Sequence, residues 1–254
     1  MCETNLLPNA FVRFVLWPMP PQLWIALRPF PPPAPSDRQP ERCVRAARAW
    51  DWAALGGMAE EHFDLLDEEG RPTGKTKARS AVHADGDWHA AVHIWLLALS
   101  TKEILVQKRA LHKESWPGMR DMSAAGHVSA GSAPLRTACE ELSEELGLDL
   151  PADAFHPVFR SKQRFEADFH GKRFVNNEFD YVYLVVVRDP IPLERYRLQE
   201  SEVAGAEYMN HRDVHTAVRH PAEHGFVDAY SKDQEVSADL AIRIAVAVAR
   251  GVCM

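Results

Sequence analysis

The 254-residue chain is short of several things, and each shortage removes a class of protein. No stretch reaches the ~18 consecutive apolar residues that a membrane-spanning helix needs, so no membrane partner is expected. Cysteine is scarce. Cys2, Cys43, Cys139 and Cys253 stand far apart without a Cys-x-x-Cys pair, which argues against a disulfide framework and a cysteine zinc site and fits a reduced, cytoplasmic setting. Positive charge is in deficit, 29 Lys and Arg against 36 Asp and Glu, so no cationic field exists to coat nucleic acid and no stable nucleic-acid partner is expected. Internal repeats are absent. What is present, 46% hydrophobic and 26% charged residues, suits one soluble globular domain with extensions, or two small domains.

Residues 1–58 lack lysine and hold a single serine, Ser36, but carry ten of the 18 prolines and six arginines. The run Pro29-Phe30-Pro31-Pro32-Pro33-Ala34-Pro35 forms neither helix nor central strand, because each ring removes a backbone donor and restricts the residue before it. This segment reads as a disordered or targeting-like extension. It fits an organelle transit peptide, for plastid or mitochondrion, or an upstream-extended start with the true one near Met58.

From residue 59 the pattern is that of a folded domain, expected to run to 215, followed by a helical extension over 216–254 with a helix at Val236–Arg250. Phe63 to Leu66 and the polar turn Asp67-Glu68-Glu69-Gly70 predict a hairpin. The apolar run Ala90–Leu99, the turn Ser100–Glu103 and the segment Ile104–Arg109 predict two strands, and a short strand precedes Gly126. Further strands are expected near Val158–Phe165 and Tyr181–Val187. Ser132 as a cap, Pro134 in the first turn and Gly147 as a stop predict a helix over 134–146. The order is that of an α/β fold, a mixed sheet with helices packed on its faces.

The helix carries the chemistry. Glu141, Glu144 and Glu145 are related by i+3 and i+4, so their carboxylates converge beside an apolar stripe of Ala138, Leu142 and Leu146. Like charges at the C-terminal half of a helix repel one another and the dipole, and solvent or a cation must compensate. Three carboxylates with a backbone carbonyl and waters form a hard-oxygen set suited to Mg²⁺ or Mn²⁺. Taken alone, Glu-Glu-x-x-Glu-Glu reads equally as a solvated acidic face.

The lead-in resolves that ambiguity. From Gly126 to Leu148 the segment resembles the Nudix box, Gly-x5-Glu-x7-Arg-Glu-U-x-Glu-Glu-x-Gly-U with U aliphatic, matching at Gly126, Glu141, Leu142, Glu144, Glu145, Gly147 and Leu148. Ser132 replaces the first Glu and Glu140 replaces the Arg that braces the catalytic carboxylates, which puts metal number and turnover in question. The resemblance implies a Nudix-type α/β/α sandwich that hydrolyses a diphosphate linkage in a nucleotide or organic small molecule with Mg²⁺ or Mn²⁺. It implies Gly126, Glu141, Glu144 and Glu145 as metal ligands, the first through its carbonyl, with Glu141 also orienting or deprotonating water.

Around the box the chain is similar to the type I isopentenyl-diphosphate isomerases and the isomerase-like Nudix hydrolases of plants, algae and protists. The similarity is carried by Val82–His89, Lys108–Lys113, Trp116-Pro117-Gly118, Ala125-Gly126-His127 and Asn177-Glu178. It implies that Arg109 and Lys113 grip a diphosphate, isoprenoid diphosphates included, and that Glu178 acts as a base or metal ligand. In the isomerases, histidines at the positions of His83, His89 and His127 also bind a metal. Taken singly, His83, His89 and His93 read as surface or hydrogen-bonded side chains at a strand entrance, Trp88, Trp95 and Trp116 as core, and Cys139 as a buried, inert thiol. Isomerisation needs an acid and a base on both sides of the substrate. Ala125, where the isomerases carry cysteine, transfers no proton, and Asn176 replaces a carboxylate. Hydrolysis is therefore the expected activity, with an isomerase-like protein or a degenerate domain that binds without cleaving as the alternatives.

Overall fold

The computed structural model describes residues 60–227, His170 excepted. The expected N-terminal extension and the helix at Val236–Arg250 lie outside the described residues. Among those described, no helix is long and apolar enough to cross a membrane.

Strands β1 (His62–Leu66) and β2 (Pro72–Ala78) form the expected hairpin, its turn closed by the Gly70 N–H donating to the Asp67 carbonyl at 2.9 Å. Helix α1 (Arg79–Asp85) follows and leads into β3 (Trp88–Ala98). β3 is the spine of a mixed nine-stranded sheet: β8 (Lys172–Val187) pairs with it in parallel along its whole length, while β6 (Ala124–His127) and β4 (Glu103–Arg109) pair with it antiparallel. Because both faces of β3 are covered, its apolar residues run on without alternation, Val92, Ile94, Trp95, Leu96 and Leu97 all being buried. The long strand β7 (Phe155–Phe169) pairs with β8, β5 (Arg120–Asp121) and β9 (Val203–Asn210) pair with β4, and α3 (His211–Arg219) and α4 (Pro221–His224) complete the order.

Helix α2 (Pro134–Leu146) occupies the span the sequence predicts, but its N-cap is Ala133 rather than Ser132, without a side-chain cap bond. Gly147 ends it with φ +69, and a Cβ there would stand 2.7 Å from the Arg197 Cβ, so conformation and space both demand glycine. Ala138, Leu142 and Leu146 pack against Val92, Ile94 and Leu96 on one face of the sheet. The opposite face packs Trp95, Leu97 and Val106 against Val214, Ala217 and Val218 of α3 and against Phe226. The result is the expected α/β/α sandwich. The expected domain end at 215 falls inside α3, whose continuation contributes to that second core. Strands β7 and β8 are longer than the sequence predicts because their outer halves are polar and lack an apolar run. Cys139 is buried, as expected.

Candidate active site

The carboxylates of α2 gather against strand β6. Gly126 lies under the helix, and a Cβ there would come within 1.9 Å of Glu141 Oε1, so the missing side chain is what lets Glu141 reach the strand. Glu145 is buried, 6% exposed, and accepts from the Ala125 N–H and from Gln107 Nε2, each at 3.3 Å. Glu144, one turn from Glu141, is exposed. Burial first and the neighbouring carboxylates second push Glu141 up to about 9; burial pushes Glu145 up to about 8 against the Ala125 bond; Glu144 is raised as well. Such a set is short of positive charge at neutral pH. Its donor chemistry and the cradle at Gly126 fit a divalent cation.

The backbone of β6 sorts the available carbonyls. Gly126 pairs with Val92 and the Val128 N–H donates to the Ala90 carbonyl, so in this antiparallel ladder the even residues turn their N–H and C=O groups toward β3. The Ala125 N–H points the other way, to Glu145. The carbonyl on the carboxylate side is therefore that of Ala125, whereas that of Gly126 turns toward β3. Gly126 contributes space instead.

Glu178, which the isomerase resemblance implies as a base or metal ligand, lies on the face of the sheet opposite α2. In the register His89↔Glu178 and Ala91↔His127, these side chains share the face opposite α2. Glu178 Oε1 is 3.0 Å from His127 Nε2 and 3.5 Å from His89 Nε2, and one nitrogen from each of His83, His89 and His127 lies within 4.8 Å of the others. Of the two readings the sequence leaves for His83 and His89, surface or hydrogen-bonded, the second holds: both are buried. Each holds Nδ1 against a backbone carbonyl at 3.0 Å, that of Arg79 and of Asp87, an arrangement that turns the other ring nitrogen into the free electron pair. The Nε2 atoms of both are buried without a hydrogen-bond partner. Burial, then the other imidazoles, pushes His83 down to about 4. Burial raises Glu178, but the His127 and His89 contacts outweigh it and hold this carboxyl well below the usual range. The four side chains fit a second cation. His93 stands apart with Asp180 at 3.6 Å, and burial pushes Asp180 up to about 6.

Arg109 ends β4, and Lys113 lies in the loop between β4 and β5. Arg109 donates to Asp121 Oδ2 at 3.1 Å, to the Ser115 carbonyl at 3.1 Å and to Ser115 Oγ at 3.2 Å, so three of its donors fix the loop. Lys113 donates to Glu202. In the same loop Trp116 adopts φ +48 and rests on Phe165 with ring centroids 5.1 Å apart, while Trp95 is core and Trp88 lies under the Lys162 ammonium at 4.3 Å. Glu140, which replaces the box arginine, pairs with Arg136 at 2.8 Å on the exposed side of α2. Gln107 and Glu202 carry no sequence signal, each being an isolated polar residue brought to the site by long-range pairing.

A family described as NUDIX domain matches residues 87–230, more than half of the chain. The chain belongs to the Nudix family. Over 156 residues it is 48% identical to Nudix hydrolase 3 of Arabidopsis thaliana, a match covering 61% of this chain and 20% of that protein, so the chain spans about one fifth of that relative's length. It is 34% identical over 150 residues to an uncharacterised Nudix hydrolase of Clostridium acetobutylicum, covering 58% of this chain and 69% of that one. The isopentenyl-diphosphate Delta-isomerase of Escherichia coli is 35% identical over 104 residues, 41% of this chain and 57% of the isomerase. Among solved structures, DR0079 of Deinococcus radiodurans shares the Nudix chain's fold with a TM-score of 0.50 and 17% identity, over 72% of this chain and 99% of that one.

Proposed function

We propose that this Nudix chain hydrolyses a diphosphate linkage in a nucleotide or an organic diphosphate, isoprenoid diphosphates included, with Mg²⁺ or Mn²⁺ held by Glu141, Glu144, Glu145 and the Ala125 carbonyl. The observation that carries this reading is the placing of Glu141 and Glu145 against β6 with both carboxyls far above their ordinary range. When bound, the cation supplies charge that stabilises the ionised carboxylates and the diphosphate oxygens. Gln107 and the Ala125 N–H hold the Glu145 carboxyl in one orientation. Glu141, closest to the strand, orients and deprotonates the attacking water once ionised. Lys113 binds a phosphate oxygen as a point charge, and Arg109 keeps the Lys113 loop in place. His83, His89, His127 and Glu178 hold a second cation on the opposite face.

That imidazole set favours a second reading, an isomerase-like activity. Against it stands Ala125, whose methyl group transfers no proton.

Phosphate release with Mg²⁺ or Mn²⁺ across nucleotide sugars, dinucleotides, nucleoside triphosphates and isoprenyl diphosphates tests the proposal. Release is expected, with most turnover lost in Glu144→Gln and in Glu145→Gln. Binding without release would mean a degenerate domain, and interconversion of isoprenyl isomers without release would favour the isomerase reading.

A further inference from the structure

We propose that Thr137 is a positioning residue for Glu141: its buried hydroxyl donates to the Glu141 carboxylate and fixes which oxygen faces a cation, a role that rests on the metal-binding reading of Glu141 proposed above.

Thr137 stands one helical turn before Glu141 on α2, so the two side chains share a face. Side chains on a helix lean toward its N-terminus, which lays Glu141 over the turn that carries Thr137. From the strand side Gly126 confines the same carboxyl, since even a Cβ there would meet Glu141 Oε1 at 1.9 Å. Glu141 therefore lies between β6 and the Thr137 turn.

Thr137 is only 5% exposed. Its N–H donates to the Ala133 carbonyl at 3.0 Å, but its Oγ1 is buried without a hydrogen-bond partner. An orphaned buried hydroxyl weakens a fold, and the isosteric valine would fill the same space without that penalty. The hydroxyl is thus explained by the site rather than by packing. Glu145 shows the same arrangement further along the helix. Gln107 Nε2 donates to its carboxyl at 3.3 Å, and Gln107 likewise keeps one buried atom, Oε1, without a partner. Each of the two carboxyls set against β6 has a neutral polar side chain beside it with bonding capacity in hand. A hydroxyl suits the Glu141 position, because by turning its own O–H it accepts from a carboxylic acid and donates to a carboxylate. Once ionised, Glu141 only accepts, and the Thr137 O–H then occupies one of its oxygens and leaves the other to the cation.

The test compares Thr137→Val with Thr137→Ser in the full chain. Mn²⁺ affinity is read by electron paramagnetic resonance for the ion that Glu145→Gln removes, and thermal unfolding is followed without metal. Thr137→Val is expected to weaken that ion about tenfold. Its metal-free midpoint is expected to stay level or rise, because the orphaned hydroxyl is gone. Thr137→Ser keeps the hydroxyl and is expected to hold Mn²⁺ within about twofold of the parent. Unchanged affinity in Thr137→Val, an equal loss in both variants, or a lower midpoint in Thr137→Val would overturn the inference and leave Thr137 a packing residue. Any of these in a chain whose ion Glu145→Gln does remove refutes this inference alone. If Glu145→Gln removes no ion, the metal site on α2 falls together with it.

Discussion

The two faces of the β3–β6–β8 sheet bring opposite chemistry under protein cover, carboxyls on one and imidazoles on the other, and the proposed function puts a cation on each. On the α2 face, burial leaves carboxylates holding protons, Glu141 up to about 9 and Glu145 up to about 8. On the other, burial pushes His83 down to about 4, His127 and His89 hold the Glu178 carboxyl ionised, and Glu178 in turn outweighs burial to raise His89. On the α2 side a cation would have to displace protons from Glu141 and Glu145, whereas on the other side His83 is held neutral at neutral pH with its Nδ1 already bonded. One residue step along β6, from Gly126 to His127, crosses from one centre to the other.

The largest effect that would break this comparison lies in turnover. Glu145→Gln is expected to lower kcat about 10²–10³-fold in a phosphate-release assay while the near-ultraviolet circular dichroism of the chain is unchanged. His83→Ala is expected to leave hydrolysis within about tenfold of the parent and to remove one bound ion from the metal stoichiometry by atomic absorption. A loss as large as that of Glu145→Gln would mean that the imidazole face carries the reaction. Next in size is Gly126→Ala. Its Cβ would displace Glu141, and Mn²⁺ affinity measured by electron paramagnetic resonance is expected to fall about 10–100-fold.

The smallest effect sharpens the contrast most. In the metal-free chain Glu141 and Glu145 bind protons more tightly when folded than when unfolded, so their contribution to stability is full below about pH 4.5 and is lost as pH rises through 8 to 9. His83, with its folded pKa lowered from 6.5 to about 4, contributes in the opposite sense: stability is present above 6.5 and lost as pH falls toward 4. Thermal unfolding followed across pH 4 to 9 is expected to show a maximum between these arms. Glu141→Gln together with Glu145→Gln should flatten the alkaline arm by several degrees, and His83→Ala the acid arm.

The same contrast explains what was legible in the sequence. The carboxylate centre is written in consecutive residues of one helix, between a proline that starts it and a glycine that stops it, and helical periodicity alone places Glu141, Glu144 and Glu145 together. The strands β3 and β4 are equally plain, being apolar runs separated by a polar turn. The imidazole centre needs the parallel register of β3 on β8, set by packing between segments about 90 residues apart, and no local pattern encodes it. Helix α1 escapes for a related reason: seven residues without a side-chain cap bond are held by their packing rather than by local signals. The Ala125 carbonyl is a third case: which of two adjacent backbone groups faces the carboxylates depends on strand alternation that only the pairing with Val92 reveals.

The most direct measurement is Mn²⁺ titration of the metal-free chain at pH 7, monitored by proton release and repeated with Glu141 and Glu145 both changed to Gln. The parent is expected to release protons as manganese binds, and the double variant to lose both that proton release and the corresponding bound ion. Manganese binding without proton release, or release undiminished in the double variant, would place the cation elsewhere and contradict the account.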